Sequence, residues 1–305
     1  MIDTHCHIQF NAYKDDFEQV IEKCRQKGML LNVVGSNSLT SVKAVEFADK
    51  YDSIFATVGM HPSHTFSTYI DQDEDGIGIE KFNYEYYKKL ADHPKVIGIG
   101  ECGLELYHLP ENINREEILL KQKDTFVAQS ELARELELPL VIHVRDAHEE
   151  MIELLNVIAR SETTKQSFDR VANYKIAASP SGAPRNDKTM QAVIHCYTGD
   201  WKNAEQYLAM GFYLGFTGVI TFPPKKTNPQ LQLDLLEVVK NCPADRILIE
   251  TDAPYLAPQA YRGERCEPWM VEEVAKKIAE IKNISLAEVV KITTKNAKKL
   301  FTKLG

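Results

Sequence analysis

No stretch of the 305 residues runs apolar for the roughly 18 positions that a membrane-spanning helix needs, so no such segment is expected. Positive charge is in the minority: 36 Lys and Arg stand against 44 Asp and Glu, a net charge of −8. That balance argues against a constitutive nucleic-acid coat, which carries a basic surface. It leaves room for an enzyme that meets phosphates through bound metal ions, because a cation in a site can reverse the local field. The six cysteines contain no CxxC pair, and Cys6, Cys24, Cys102, Cys196, Cys242 and Cys266 read as free thiols of a reducing compartment. Met1 leads directly into Ile2, Asp3, Thr4 and His5, without a charged and then apolar leader, so a cytoplasmic protein is the expectation. A Walker loop and a GxSxG elbow are also absent, which removes the common phosphate-cradling and serine-nucleophile chemistries.

What the sequence does hold is an alternation. Eight short apolar runs of strand length recur at 2–8, 29–36, 54–61, 95–101, 138–144, 192–197, 212–218 and 246–252. Amphipathic stretches such as DDFEQVIEKCRQKG, SVKAVEFADKY and LQLDLLEVVKNC lie between them, and Gly28 and Gly211 stand where helices should stop. Repeated βα units with strands apolar enough to be buried on both faces predict an α/β fold, a single (β/α)8 barrel of the TIM type over 1–305. An open doubly wound sheet is the runner-up. Two closing helices, PWMVEEVAKKIAEIKN and SLAEVVKITTKNAKKLF, follow the last strand, the second opening on a capping box of Ser285 and Glu288. Two loops are unusually long. Residues 62–80 follow the third strand and belong on the C-terminal face of a barrel, while 161–190 precede the sixth strand and belong on the opposite face, away from chemistry.

His5 and His7 are one residue apart in a strand, a spacing that presents two imidazoles on the same side. Alone they could be a hydrogen-bonded pair. Four other runs also end on a His or a carboxylate: Glu101, His143, His195 and Asp252. Left unpaired in a dry interior these groups would be very costly, whereas divalent cations satisfy them together. The expectation is therefore one or two divalent ions bound by His5, His7, Glu101, His143, His195 and Asp252. Imidazole and carboxylate without thiolate suit zinc or manganese, or magnesium with fewer nitrogens per ion. Cys6, Cys102 and Cys196 each follow a ligand by one residue, so strand alternation should turn them away as packing residues.

Two motifs point elsewhere and are set aside. Gly98, Gly100 and Gly103 spell GxGxxG, but Glu101 interrupts it and Pro110 follows where a helix should open, so no nucleotide cofactor is expected. Asp71, Asp73, Asp75 and Gly76 resemble the start of a calcium loop, yet its twelfth position is Phe82, and a solvated acidic loop is the expectation. The chemistry that remains is metal-assisted hydrolysis.

With these residues in hand, the sequence resembles the TatD-type metal-dependent deoxyribonucleases within the amidohydrolase-like barrels. The resemblance runs through DTHCHI at 3–8, VGMHP at 58–62, GECGL at 100–104, LPLVIHVRDA at 138–147, VIHCYTG at 193–199, GFTGVITF at 215–222 and IETDAPYLAP at 249–258. It implies that His5, His7, Glu101 and Asp252 surround one metal and that Glu101, His143 and His195 hold a second, with Glu101 bridging. It also implies hydrolysis of DNA phosphodiester bonds from a 3′ end, on single strands or duplex ends, with His61, Arg145 and Arg262 approaching substrate phosphate. Glu101 and Asp252 are the catalytic carboxylates in this reading, Asp252 suiting the role of proton acceptor for the attacking water. Glu105 stands where the family's GLD places Asp, and Cys266 where its RGxRNEP places Asn. Rival readings are a small-molecule amidohydrolase, a D-aminoacyl-tRNA deacylase on the same hardware, and a non-enzymatic binding role, which retention of all six ligands disfavours.

Overall fold

The computed structural model describes residues 1–66, 73–74, 78–109, 114–163 and 190–305. Eight parallel strands follow one another in chain order: β1 (Ile2–Cys6), β2 (Leu30–Val34), β3 (Ile54–Val58), β4 (Val96–Glu105), β5 (Leu140–Arg145), β6 (Ala192–Ile194), β7 (Tyr213–Phe216) and β8 (Ile247–Ile249). They coincide with the eight apolar runs, each trimmed at one end or both except at β4 and β5, which run further. No continuous ladder joins β8 to β1. The sheet closes instead through a bridge from Cys6 to Ala253, with the Asp252 N–H donating to the His5 carbonyl at 2.9 Å and the His7 N–H to that of Ala253 at 2.7 Å. The seam of the nearly closed barrel therefore lies among the residues expected to bind metal.

The connecting helices are α1 (Phe17–Gln26), α2 (Ser38–Lys50), α3 (Tyr84–Ala91), α4 (Arg115–Glu135), α5 (His148–Thr163), α6 (Trp201–Ala209) and α7 (Gln230–Asn241), and β8 is followed by α8 (Val271–Lys282) and α9 (Leu286–Leu300). Local chemistry sets their ends. Asn37 and Thr40 form a reciprocal capping box at α2, Asn83 and Asp200 cap α3 and α6, and Gly28 and Gly211 take positive φ just past α1 and α6. At α9 the Ser285 hydroxyl accepts the Glu288 N–H, the first arm of the expected box. Helix α3, short and tyrosine-rich, follows the long loop and buries Tyr87 and Ala91 on one face.

Two apolar clusters fix the architecture. The larger fills the space between strands and helices. The smaller lies inside the barrel: Ile2, Ile97, Val141, Val193, Tyr213 and Leu248, flanked by Leu30 and Phe55, represent all eight strands, and Ala297, Leu300, Phe301 and Leu304 from the end of α9 and beyond pack into them. The C-terminal segment thus plugs the bottom of the barrel, with Phe301 fully buried. Two residues further along β1, β2 and β3 the interior turns polar. Asn32 donates to the Thr4 carbonyl at 3.0 Å and accepts the Thr57 hydroxyl at 2.9 Å. Dry floor, polar layer and ligand-bearing mouth succeed one another along the barrel axis.

The GxGxxG glycines serve this packing. Gly100 and Gly103 have φ of 138° and 152°, and a Cβ on Gly103 would stand 1.9 Å from the His143 carbonyl oxygen. They let β4 press against β5 and aim Glu101 into the mouth. Among the described residues no helix is long and apolar enough to cross a membrane.

Candidate metal centre at the barrel mouth

All six expected ligands meet. Nε2 of His5 lies 3.1 Å from Nε2 of His7, 3.4 Å from Oε2 of Glu101 and 3.8 Å from Oδ1 of Asp252. Nε2 of His7 is 3.8 Å from the same Glu101 oxygen and 3.5 Å from Asp252. The other oxygen of Glu101 faces a second group: Nδ1 of His143 at 2.9 Å, Nε2 of His195 at 3.6 Å and Nε2 of His61 at 3.6 Å. His195 also reaches Asp252 at 3.7 Å. One carboxylate is thus divided between two sets of imidazoles. Asp252 has a φ of 61°, a left-handed conformation uncommon outside glycine and frequent at functional sites.

In His7, His143 and His195 the nitrogen pointing away from this centre is tied down, and that fixes the one pointing in. His7 Nδ1 donates to the Val34 carbonyl at 2.7 Å. His195 Nδ1 faces Glu250 at 2.9 Å, and His143 Nε2 faces Glu105 at 3.0 Å. When neutral, each ring therefore turns a lone pair toward Glu101, as a metal-ligating imidazole does when its outer N–H is held by a carboxylate or carbonyl. His5 Nδ1 is buried with no hydrogen-bond partner among the described residues. Converging lone pairs and carboxylates repel one another until a cation stands among them, so the donor set fits divalent metal. Candidate ligand groups with donor atoms within 4.8 Å of one another are His5, His7 and Asp252; His61, Glu101 and His143; His5, His195 and Glu250; and His195, Cys196 and Asp252.

The electrostatics follow. Burial would raise the Glu101 carboxyl, but His61, His195, His143 and His5 around it outweigh burial and hold it well below the usual carboxylate range. Burial would depress His143 too, yet Glu101 and Glu105 push it up to about 9. His195, likewise buried, is driven to about 10 by Glu250, Glu101 and Asp252. His61 goes the other way, down to about 3, through burial and the neighbouring His143. A neutral His61, its Nδ1 2.7 Å from the Ser63 hydroxyl, joins the cluster itself rather than standing apart from it.

Arg145 and Arg262 are both exposed, and neither forms an ion pair among the described residues. Each guanidinium stacks on an aromatic ring, Arg145 on Tyr107 at 4.3 Å and Arg262 on Phe222 at 4.4 Å. The surface ion pair in this region is made by Arg265 with Asp16, at 2.6 Å. Cys266 is fully buried, and its carbonyl accepts the Tyr13 hydroxyl, a bond indifferent to the side chain.

Cys6 and Cys102 are buried as expected. Cys196 is not turned away. Strand β6 ends at Ile194, Cys196 adopts a φ of 45°, and alternation no longer applies, so its Sγ lies beside Thr217 at 3.4 Å and within reach of His195 and Asp252. Three carboxylates that carry weight were missed or undervalued. Glu250 orients His195, and Glu105 orients His143. Asp3, fully buried, accepts the Thr251 hydroxyl at 2.6 Å and the N–H groups of Thr251 and His5, holding the seam together. The ETD and GLE motifs held a signal for the first two: a carboxylate two or four positions from a ligand.

The acidic loop also differs from expectation where it is described. Glu74 accepts from Ser36, from Asn37 at 2.8 Å and faces His64 at 3.2 Å, and Glu80 accepts the Ser38 N–H at 3.1 Å. These charges are clasped onto the turn after β2, not solvated. Asp71, Asp75 and Gly76 lie outside the described residues, as does 164–189 of the second long segment, whose first residues extend α5.

The chain is 36% identical to the uncharacterized metal-dependent hydrolase YabD of Bacillus subtilis (strain 168), covering 99% of this chain and 98% of that protein. It is 30% identical to the 3′-5′ ssDNA/RNA exonuclease TatD of Cronobacter sakazakii, again over 99% of this chain and 98% of the relative. Among solved structures, the TatD homolog YJJV of Escherichia coli k12 superposes with a TM-score of 0.74 at 21% identity, over 99% of this chain and 98% of the other, which shows the shared barrel. The family described as TatD related DNase matches residues 2–302, and the chain belongs to this family of metal-dependent hydrolases.

Proposed function

We propose that the protein hydrolyses phosphodiester bonds of DNA from a 3′ end, with residues 1–305 acting as one hydrolase unit in the cytoplasm. The observation that carries this reading is the division of Glu101 between two imidazole groups, which suits a carboxylate bridging two ions. His5, His7, Asp252 and Glu101 would hold one divalent ion, and Glu101, His143 and His195 the other, magnesium, manganese or zinc being compatible with these donors. Such ions supply a water acidic enough to attack at neutral pH and charge stabilisation for the leaving oxygen. The name of the Cronobacter relative supports the direction of digestion and the single-stranded substrate.

The chain's own groups divide the rest of the work. Asp252 has a side chain 16% exposed at the mouth, and the surrounding histidines outweigh burial to keep it ionised, so its carboxylate is suited to accept the attacking water's proton. The water oxygen joins phosphorus, the P–O3′ bond breaks, and the 3′ oxygen takes a proton from solvent. Arg145 and Arg262 offer planar guanidinium forks to phosphate oxygens on either side. Metal-stripped protein reloaded with magnesium, manganese or zinc is tested on 5′-labelled single-stranded and duplex DNA. A ladder shortening from the 3′ end with at least one metal is expected; intact DNA with all three would reject the proposal.

A further inference from the structure

Tyr107 stands just past the end of β4 with 58% of its surface exposed. Its backbone is nevertheless held in place. The Tyr107 and His108 N–H groups both donate to Oε1 of Glu105, at 2.7 and 3.1 Å, while Oε2 of the same carboxylate faces His143 at 3.0 Å. The Leu106 N–H donates to the Arg145 carbonyl at 2.9 Å, and the ladder pairs Gly103 with His143 and Glu105 with Arg145. The backbone that carries the ring is therefore fixed next to Glu105, the partner of His143, by one side chain and one strand pairing. Arg145 covers a face of the ring at 4.3 Å, and His108 meets it edge-on with centroids 4.7 Å apart.

A large exposed aromatic face on a fixed backbone, one strand pairing away from a candidate metal ligand, is suited to stacking. We propose that Tyr107 stacks on an unpaired base at the 3′ end of the polynucleotide while Arg145, on the ring's other side, holds phosphate; this rests on the DNA hydrolysis proposed above. Every base has a π face, so stacking is tolerant of sequence. In a duplex those faces are occupied by neighbouring pairs, so a platform at the mouth favours frayed or single-stranded ends. The guanidinium strengthens the arrangement by packing on the ring and presenting donors to the backbone. Because Glu105 carries both the platform and His143, base and scissile phosphate are registered by the same side chain.

The test uses metal-loaded enzyme and single-stranded oligodeoxynucleotides whose 3′-terminal nucleotide is either base-bearing or abasic, with bis(p-nitrophenyl) phosphate as a substrate lacking any base. In the wild type, removing the terminal base is expected to raise KM about ten-fold with little change in kcat. Tyr107→Ala should impose a similar penalty on the base-bearing strand and none further on the abasic one. Tyr107→Phe and Tyr107→Trp should behave as wild type. An unchanged KM in Tyr107→Ala, or penalties that multiply instead of coinciding, would each overturn the platform alone. Turnover of bis(p-nitrophenyl) phosphate with no cleavage of any oligonucleotide would overturn the DNA reading and the platform with it.

Discussion

Glu105 holds the ring nitrogen of His143 that faces away from Glu101, at 3.0 Å. The position where family resemblance leads one to expect Asp is thus the residue that fixes which nitrogen of a candidate ligand is free. Its carboxylate accepts three donors, His143 and the N–H groups of Tyr107 and His108.

A glutamine at 105 has one accepting oxygen in place of two, so an amide NH2 must face either the imidazole or the backbone donors. Glu105→Gln is expected to weaken metal binding by about 10- to 100-fold, the usual cost of losing the group that orients a ligating histidine. Titration of the stripped variant with zinc or manganese measures this, and an affinity equal to wild type would remove Glu105 from the centre's support.

Asp252 offers a sharper test of chemistry. Asp252→Asn keeps the shape of the side chain, but an amide does not accept a proton at neutral pH. Turnover is expected to fall by at least about 10²-fold, within the range ascribed to general base catalysis. Circular dichroism and metal content separate this from unfolding or loss of the ion. A folded variant with metal bound and near-normal turnover would assign the proton to another acceptor.

The raised histidines make metal binding pH-dependent. Burial opposes the charged form of His143 and His195, but their carboxylate neighbours prevail, at about 9 and about 10. Both imidazoles therefore carry an extra proton at pH 7 in the metal-free protein, and each must lose it to coordinate. Calorimetric titration in buffers of different ionisation enthalpy should report at least about two protons released per fully loaded centre at pH 7, with His7, also raised by Asp252 and Glu101, adding to them, and fewer as pH rises past 10. Absence of proton release at pH 7 would contradict the assignment. The linked effect on the metal-free fold has the opposite sense. Folded values above the unfolded one of about 6.5 give stability that is complete below that pH and is lost as pH rises through 9 to 10.

Much of this centre was legible because strands are regular. A period of two and a rim position suffice to gather His5, His7, Glu101, His143, His195 and Asp252 from five parts of the chain. Reading stopped where regularity stops. Cys196 lies beyond the end of β6 with a positive φ, so alternation assigned it the wrong side. Glu250 and Glu105 reach the candidate ligands His195 and His143 across strands, at sequence separations of 55 and 38, a pairing that only the closed barrel reveals. The role of α9 as a plug was hidden for the same reason. Its apolar face is visible in the sequence, but the interior it enters is built from every strand of the sheet.

The acidic segment after β3 gives the last prediction, and it departs from the solvated loop that composition alone suggests. Glu74 does not hang over the mouth as a free charge. It takes hydrogen bonds from Ser36 and Asn37 and faces His64, while the backbone of Asp73 accepts the Ala12 N–H at 3.2 Å and that of Glu74 accepts Asn11 at 3.0 Å. These contacts pin the segment across the turns after β1 and β2, next to the strand that carries His5 and His7. Removing the carboxylate leaves largely buried donors unsatisfied, which costs about 1 to 3 kcal/mol. Glu74→Ala is therefore expected to lower stability by that amount in urea titrations, equally at low and high salt, because short hydrogen bonds inside a partly buried cluster are screened little. A gate made of free charge would behave differently: the variant would keep wild-type stability and show a KM for DNA lowered at low salt alone. That outcome would return the segment to the solvated acidic loop that its composition suggests.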